Sequence, residues 1–151
     1  MAQSLSAVYV HVVFSTKERR ALLRDATVRD ALHSYIGGIS KRMDCLPVRV
    51  GGVEDHVHVL SRLARTISQA DWVKELKRVS TLWLREQGRE WAGFQWQAGY
   101  AAFSVSPSNL AQVEEYIAAQ AQHHRRMTFQ DELRALLRKH DIEFDERYVW
   151  D

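Results

Sequence analysis

Four short runs rich in β-branched and aromatic residues alternate with stripes of helical spacing, and their order leaves few folds open to the chain. The run from Val8 to Phe14 reads as a first strand, because such side chains pack well on a pleated surface. Apolar residues then recur at Val28, Leu32, Tyr35, Ile36 and Ile39, the spacing of one helical face, with Gly37-Gly38 weakening the helix near its end. Pro47 and the alternation of Val48, Val50 and Val53 mark a second strand, with Gly51-Gly52 as a bend or bulge. Asp55 to Ser61 reads as a third. Ser68 followed by Asp71 has the form of a capped helix start, and the helix predicted there carries Trp72, Leu76, Val79 and Trp83 on one side and runs to about Glu86, with Gly88 as its stop. Tyr100 to Val105 is a fourth strand. Ser106-Pro107 cap and open a helix through about His123, and Thr128 with Asp131 opens a last one to about His140.

Strand, helix, strand, strand, helix, strand is the βαββαβ order of the ferredoxin-like or RRM-like fold, an α+β architecture with two helices on one face of an antiparallel sheet. The helices beyond it are expected on the sheet edge or on a second subunit. Residues 1–127 are read as the functional body and 128–151 as a helical extension with an acidic tail in the same domain. The 151 residues, with 46% hydrophobic and 26% charged content, suffice for one ordinary core. No apolar run approaches the length of a bilayer span, no secretion signal opens the chain, and the lone Cys45 fits a reducing cytoplasm as a buried small residue. Residues 17–126 hold 17 Lys and Arg against 12 Asp and Glu, whereas 127–151 hold 4 against 7. A basic body with an acidic tail suits a phosphate-bearing partner, although charge this modest is also common on solvated surfaces.

Two constellations carry chemistry. His56 and His58 flank Val57 in a predicted strand, so period-2 alternation puts both imidazoles on one face, where they can share a divalent ion. Such pairs also arise by chance on exposed strands. Asp55 is a further ligand, an acceptor that orients one ring, or a turn residue. Tyr116 and Gln120 lie four apart in a predicted helix and are neighbours on one side of it. Val113, Tyr116 and Ile117 also read as a packing stripe. A phenol of ordinary pKa about 10 needs help to attack phosphorus, and a nearby divalent ion supplies it.

Taken together, several segments resemble the single-tyrosine transposases of bacterial insertion sequences, including the branch associated with repetitive extragenic palindromes. They are His11-Val12-Val13-Phe14-Ser15-Thr16-Lys17, Asp55-His56-Val57-His58-Val59-Leu60, Trp96-Gln97-Ala98-Gly99-Tyr100, Phe103-Ser104-Val105-Ser106, and Tyr116 to Gln120 with His123-His124 beyond. Asp145-Glu146-Arg147-Tyr148 with Trp150 is similar to one branch of the group. The resemblance implies a catalytic Mg²⁺ or Mn²⁺ held by His56, His58 and Gln120, with Tyr116 as nucleophile. It further implies single-stranded or hairpin DNA as substrate, a 5′-phosphotyrosine intermediate, and a homodimer in which the tyrosine helix can act in cis or in trans. No membrane and no nucleotide cofactor are implied, which fits the absence of a P-loop signature.

Lys17, Arg19, Arg20, Lys77, Arg78 and Arg125 are candidate DNA contacts, each with a solvated surface as its plain alternative. Trp96 and Tyr100 suit core or edge packing better than base stacking. His11, in an apolar strand, reads as a satisfied structural histidine, and His123-His124 as a solvent-exposed helix end. Two other functions stay open: a non-catalytic hairpin-binding protein on the same scaffold, and a ferredoxin-like metal or small-ligand regulator.

Overall fold

A computed structural model describes residues 2–151. The chain forms β1 (Tyr9–Ser15), α1 (Ala26–Arg42), β2 (Leu46–Gly52), β3 (His56–Arg62), α2 (Gln69–Arg85), β4 (Ala101–Val105), α3 (Leu110–Ala118), α4 (Gln120–His123) and α5 (Phe129–Lys139). The four strands lie in the order β2-β3-β1-β4 and every neighbouring pair is antiparallel, as the βαββαβ reading requires. Asp25 caps α1 through bonds from Thr27 N and Val28 N, Ser68 caps α2 through Asp71 N, and Thr128 caps α5 through Asp131 N.

Alternation divides the sheet into two unlike faces. Val10, Val12, Phe14, Val57 and Val59 point to one side and pack with Leu32, Ile36, Trp72, Val73 and Leu76 of α1 and α2. Each fully buried aliphatic side chain here contributes roughly 1.5–3 kcal/mol. Cys45 belongs to this core. So does Trp96, whose indole N–H donates to Ser80 Oγ at 3.0 Å, while Tyr100 stays partly exposed at the edge.

The other face carries His11, Val13, His56, His58, Leu60, Phe103 and Val105, and it is covered by α3 and α5. Leu60, Val105 and Ile117 form one cluster there, and Val13, Phe103, Phe129, Leu133 and Leu137 another. The C-terminal helix therefore packs on the sheet of its own chain, not on the sheet edge. An apolar face of this size demands a cover, and the stripe of Phe129, Leu133 and Leu137 supplies it.

Two glycines set the approach of this cover. A Cβ on Gly51 would lie 2.8 Å from the Ile117 carbonyl oxygen, and one on Gly52 2.2 Å from that of His56. Bare backbone at Gly51 thus lets the end of α3 sit directly on β2, and at Gly52 it allows the tight hairpin leading into His56. The irregularity of β2 falls between Pro47 and Arg49, not at the glycines. The helix expected from Ser106 to His123 is also divided: a 3-10 turn over Pro107–Asn109 precedes α3, and the backbone leaves helical geometry at Ala119 (φ −93°, ψ 15°) before α4.

Candidate active site

β3 delivers His56 and His58 to the same face of the sheet, and both are fully buried. Val57 between them enters the opposite core. Gln120 opens α4 just after the break at Ala119 and is 1% exposed. Its amide oxygen lies 3.0 Å from His56 Nε2. Tyr116, one turn earlier on α3, stands edge-on to His58 with ring centroids 5.8 Å apart. The four residues singled out by spacing therefore meet in space, within one chain.

At their centre lies Glu132, which no motif marks. Its Oε1 accepts from Nε2 of His58 and of His124, both at 3.1 Å, and lies 3.2 Å from Nε2 of His56. Its Oε2 accepts from Gln120 Nε2 at 2.9 Å and from the Tyr116 hydroxyl. A signal for it does exist in the sequence. Phe129, Glu132, Leu133 and Leu137 are the buried residues of α5, so a carboxylate interrupts an otherwise apolar stripe. A buried charge is tolerated only when paired, and here the pairs are the histidines. His124 corrects the expectation of a solvated helix end. Its Nδ1 faces the Met127 carbonyl at 2.8 Å and its Nε2 faces Gln120 Oε1 at 3.0 Å.

The far nitrogens of the paired histidines are held as well. Asp55 Oδ1 lies 2.7 Å from His56 Nδ1, which selects the ring-orienting role for Asp55. Nδ1 of His58 lies 2.8 Å from Nε2 of His11, with the two rings stacked at 5.1 Å. His11 is thus satisfied, as expected of a buried histidine, but its partner is a residue of the site.

These contacts set the protonation states. Burial opposes charge on His56, yet the hydrogen bonds to Asp55 and Glu132 outweigh it and raise its pKa to about 9. Both of its nitrogens face acceptors, which requires both to donate. Burial holds His58 and His11 below the ordinary histidine value, so they rest neutral. Burial also pushes up the carboxyl of Glu132, but the bonds from His124, His56 and His58 hold it far below the carboxylate range. Burial, then the Glu132 charge, raises Tyr116 well above an ordinary phenol.

Nε2 of His56 and His58 and a carboxylate oxygen of Glu132 lie within 4.8 Å of one another. Two imidazoles and a carboxylate, each with its second atom hydrogen-bonded, form a donor set suited to a divalent first-row ion.

The candidate DNA contacts are distributed unevenly. Lys17, Arg19 and Arg20 follow β1, whose last residue, Ser15, pairs with His56. Arg19 lies over the Trp150 ring at 5.5 Å, and Arg20 is bridged to Glu18 at 3.0 Å. Arg125 is exposed beside His124, at the rim of a cavity of about 390 Å³ that reaches Asp55. Lys77 is placed otherwise. Its ammonium donates to the carbonyls of Gln97, Ala98 and Gly99 at 2.9, 3.1 and 2.6 Å, which uses all three donors on the chain itself. Burial lowers its pKa to about 8. Arg78 is exposed and pairs with Glu75, on a helix that covers the sheet face opposite the histidines.

Comparison with known proteins agrees with this geometry. A family model for IS200-like transposases matches residues 4–120. A crystal structure of a candidate transposase from Deinococcus radiodurans R1 is 26% identical, with a TM-score of 0.62 over 80% of this chain and 95% of that one. A REP-associated tyrosine transposase, solved bound to a REP hairpin, shares the fold at 13% identity, with a TM-score of 0.60 over 82% of this chain and 72% of that one. No protein of curated function matches the sequence. With the family match spanning most of its length and the histidine strand, Tyr116 and Gln120 assembled on one sheet face, the chain belongs to the IS200-like transposase family.

Proposed function

We propose that this protein cleaves and rejoins single-stranded DNA beside a hairpin, with Tyr116 as nucleophile and a divalent ion held by His56, His58, Glu132 and Gln120. The observation that carries the reading is the meeting of Tyr116, both histidines and Gln120 around one buried carboxylate. The hairpin substrate is carried over from the fold relative solved with a REP hairpin. Every residue of the site comes from one chain, so the reading requires no exchange of helices between subunits.

In the resting site Tyr116 is a protonated phenol oriented by its hydrogen bond to Glu132 Oε2, and the proton it loses on attack is balanced by the one the leaving 3′ oxygen gains. Attack of the phenol oxygen on phosphorus forms the tyrosyl phosphodiester, and the bond to the 3′ oxygen breaks to leave a free 3′-OH. The 3′-OH of another strand reverses the step, so the phosphodiester energy is conserved. A bound divalent ion supplies charge neutralisation at the phosphate and at the leaving oxygen. Asp55 and His11 hold the two histidine rings in register, and α3 and α5 exclude water from them. Imidazole donors favour Mn²⁺ over Mg²⁺, which prefers oxygen ligands and keeps its waters. In this reading Lys17, Arg19, Arg20 and Arg125 hold backbone phosphates.

The test is a panel of hairpin oligonucleotides with single-stranded flanks, scored for a covalent band with Mn²⁺, Mg²⁺ or EDTA. The reading expects a band that requires the ion and disappears in Tyr116→Phe while hairpin binding persists. Hairpin binding with no covalent product under any condition would favour the non-catalytic binding protein instead.

A further inference from the structure

A cavity of about 270 Å³ is lined by Tyr116 and His11 and lies between β4, α3 and the C-terminal end of α5. Its floor is apolar, formed by Phe103 and Leu136, and His140 stacks on Phe103 with ring centroids 4.5 Å apart. Asn109 and Gln112 stand at the rim, exposed, and neither side chain makes a hydrogen bond among the described residues. Lys139, also exposed, stands beside them and forms no ion pair among the described residues. Tyr116 itself is a wall, so whatever fills the cavity touches the residue proposed to attack DNA.

We propose that this cavity receives one unpaired nucleobase of the strand that Tyr116 attacks, next to the scissile phosphate, and that Gln112 and Asn109 read its edge. The inference rests on the reading of Tyr116 as nucleophile. The cavity's volume, about nine waters' share of liquid volume, is ample for one base. Flat aromatic surfaces with an apolar floor fit the face of a base. The free amides fit its edge, since each offers two donors and an acceptor in the arrangement that pairs with adenine or, turned over, with other bases. The Lys139 ammonium fits a neighbouring phosphate. Continuity decides among occupants: a group contiguous with a phosphate at Tyr116 enters this cavity without leaving the site. Base identity at one position is then read by protein, whatever the hairpin contributes.

The experiment uses the full chain and flanked hairpin oligonucleotides in which 2-aminopurine is moved one position at a time along the single strand. The expected result is a change in fluorescence on binding at one position, because the probe stacks in the cavity. That change persists in Tyr116→Phe and is lost in Gln112→Trp, which fills the cavity from an exposed position and leaves the core intact. In parallel, an abasic site at the responding position slows covalent adduct formation roughly tenfold or more in the wild type, and Gln112→Ala flattens the preference among the four bases there. A fluorescence response that is absent everywhere, or unchanged in Gln112→Trp, overturns the pocket. An intact, Gln112-dependent response without any adduct upholds the pocket and instead overturns Tyr116 as the nucleophile.

Discussion

Replacing Glu132 by Gln keeps its volume and its bonds to Tyr116 and Gln120 but removes the charge that three imidazoles share. His56 is the partner most affected, because its pKa stands at about 9 against an ordinary 6.5. At 1.36 kcal/mol per unit, Asp55 and Glu132 together stabilise that imidazolium by on the order of 3 kcal/mol after the opposing effect of burial. Removing one partner of a buried ion pair costs about 3–5 kcal/mol by independent reasoning. Glu132→Gln should therefore destabilise the ion-free protein at neutral pH by on the order of 3 kcal/mol, which for a chain this size lowers Tm by roughly 10 °C. Urea unfolding in EDTA followed by tryptophan fluorescence measures it, with the exposed Glu143→Gln as a control expected within about 0.5 kcal/mol of wild type. A loss below about 1 kcal/mol for Glu132→Gln, with an unchanged slope, would refute the charged hub.

The same hub sets a pH dependence. The folded pKa of His56 is raised, so its stabilisation is complete below about 6.5 and drains away as pH rises towards 9; the urea midpoint in EDTA should fall across that window, and a flat profile contradicts the assignment. His11→Phe removes the group that orients His58, and Mn²⁺ affinity read by electron paramagnetic resonance should weaken about 10–100-fold, with His11→Gln recovering part of it; equal affinities would make His11 a packing residue only. Gly51→Ala forces a Cβ against backbone at Ile117, so it should cost about 1–3 kcal/mol and slow adduct formation by displacing α3; wild-type behaviour in both assays would show that α3 gives way freely.

The strands and the two helices of the βαββαβ unit were legible in the sequence because each carries its own local pattern of apolar residues. Val8–Phe14 was legible by its β-branched and aromatic content, alternation put His56 and His58 on one face, and Ser68 and Thr128 cap their helices as their spacing implies. What local pattern does not encode is where the last helix lands. Its position depends on an apolar sheet face that only the folded sheet creates. Glu132 was missed for that reason: it interrupts the apolar stripe of α5, but the histidines that pair with it are met only when α5 is docked. His124 and the service of His11 to His58 were missed likewise, because each is defined by a partner 8 and 47 residues away in sequence. Lys77 shows the converse error: its charge suggested DNA, yet carbonyls 20 to 22 residues on claim it.

In the proposed reaction the Tyr116 oxygen becomes joined to DNA. Protease digestion of the Mn²⁺-dependent adduct, followed by mass spectrometry of the nucleotide-bearing peptide, tests it directly. The modified fragment is expected to contain Tyr116 and to carry the phosphate on its phenol oxygen. A phosphate bond mapped to Tyr100, Tyr148 or any residue other than Tyr116 would contradict it.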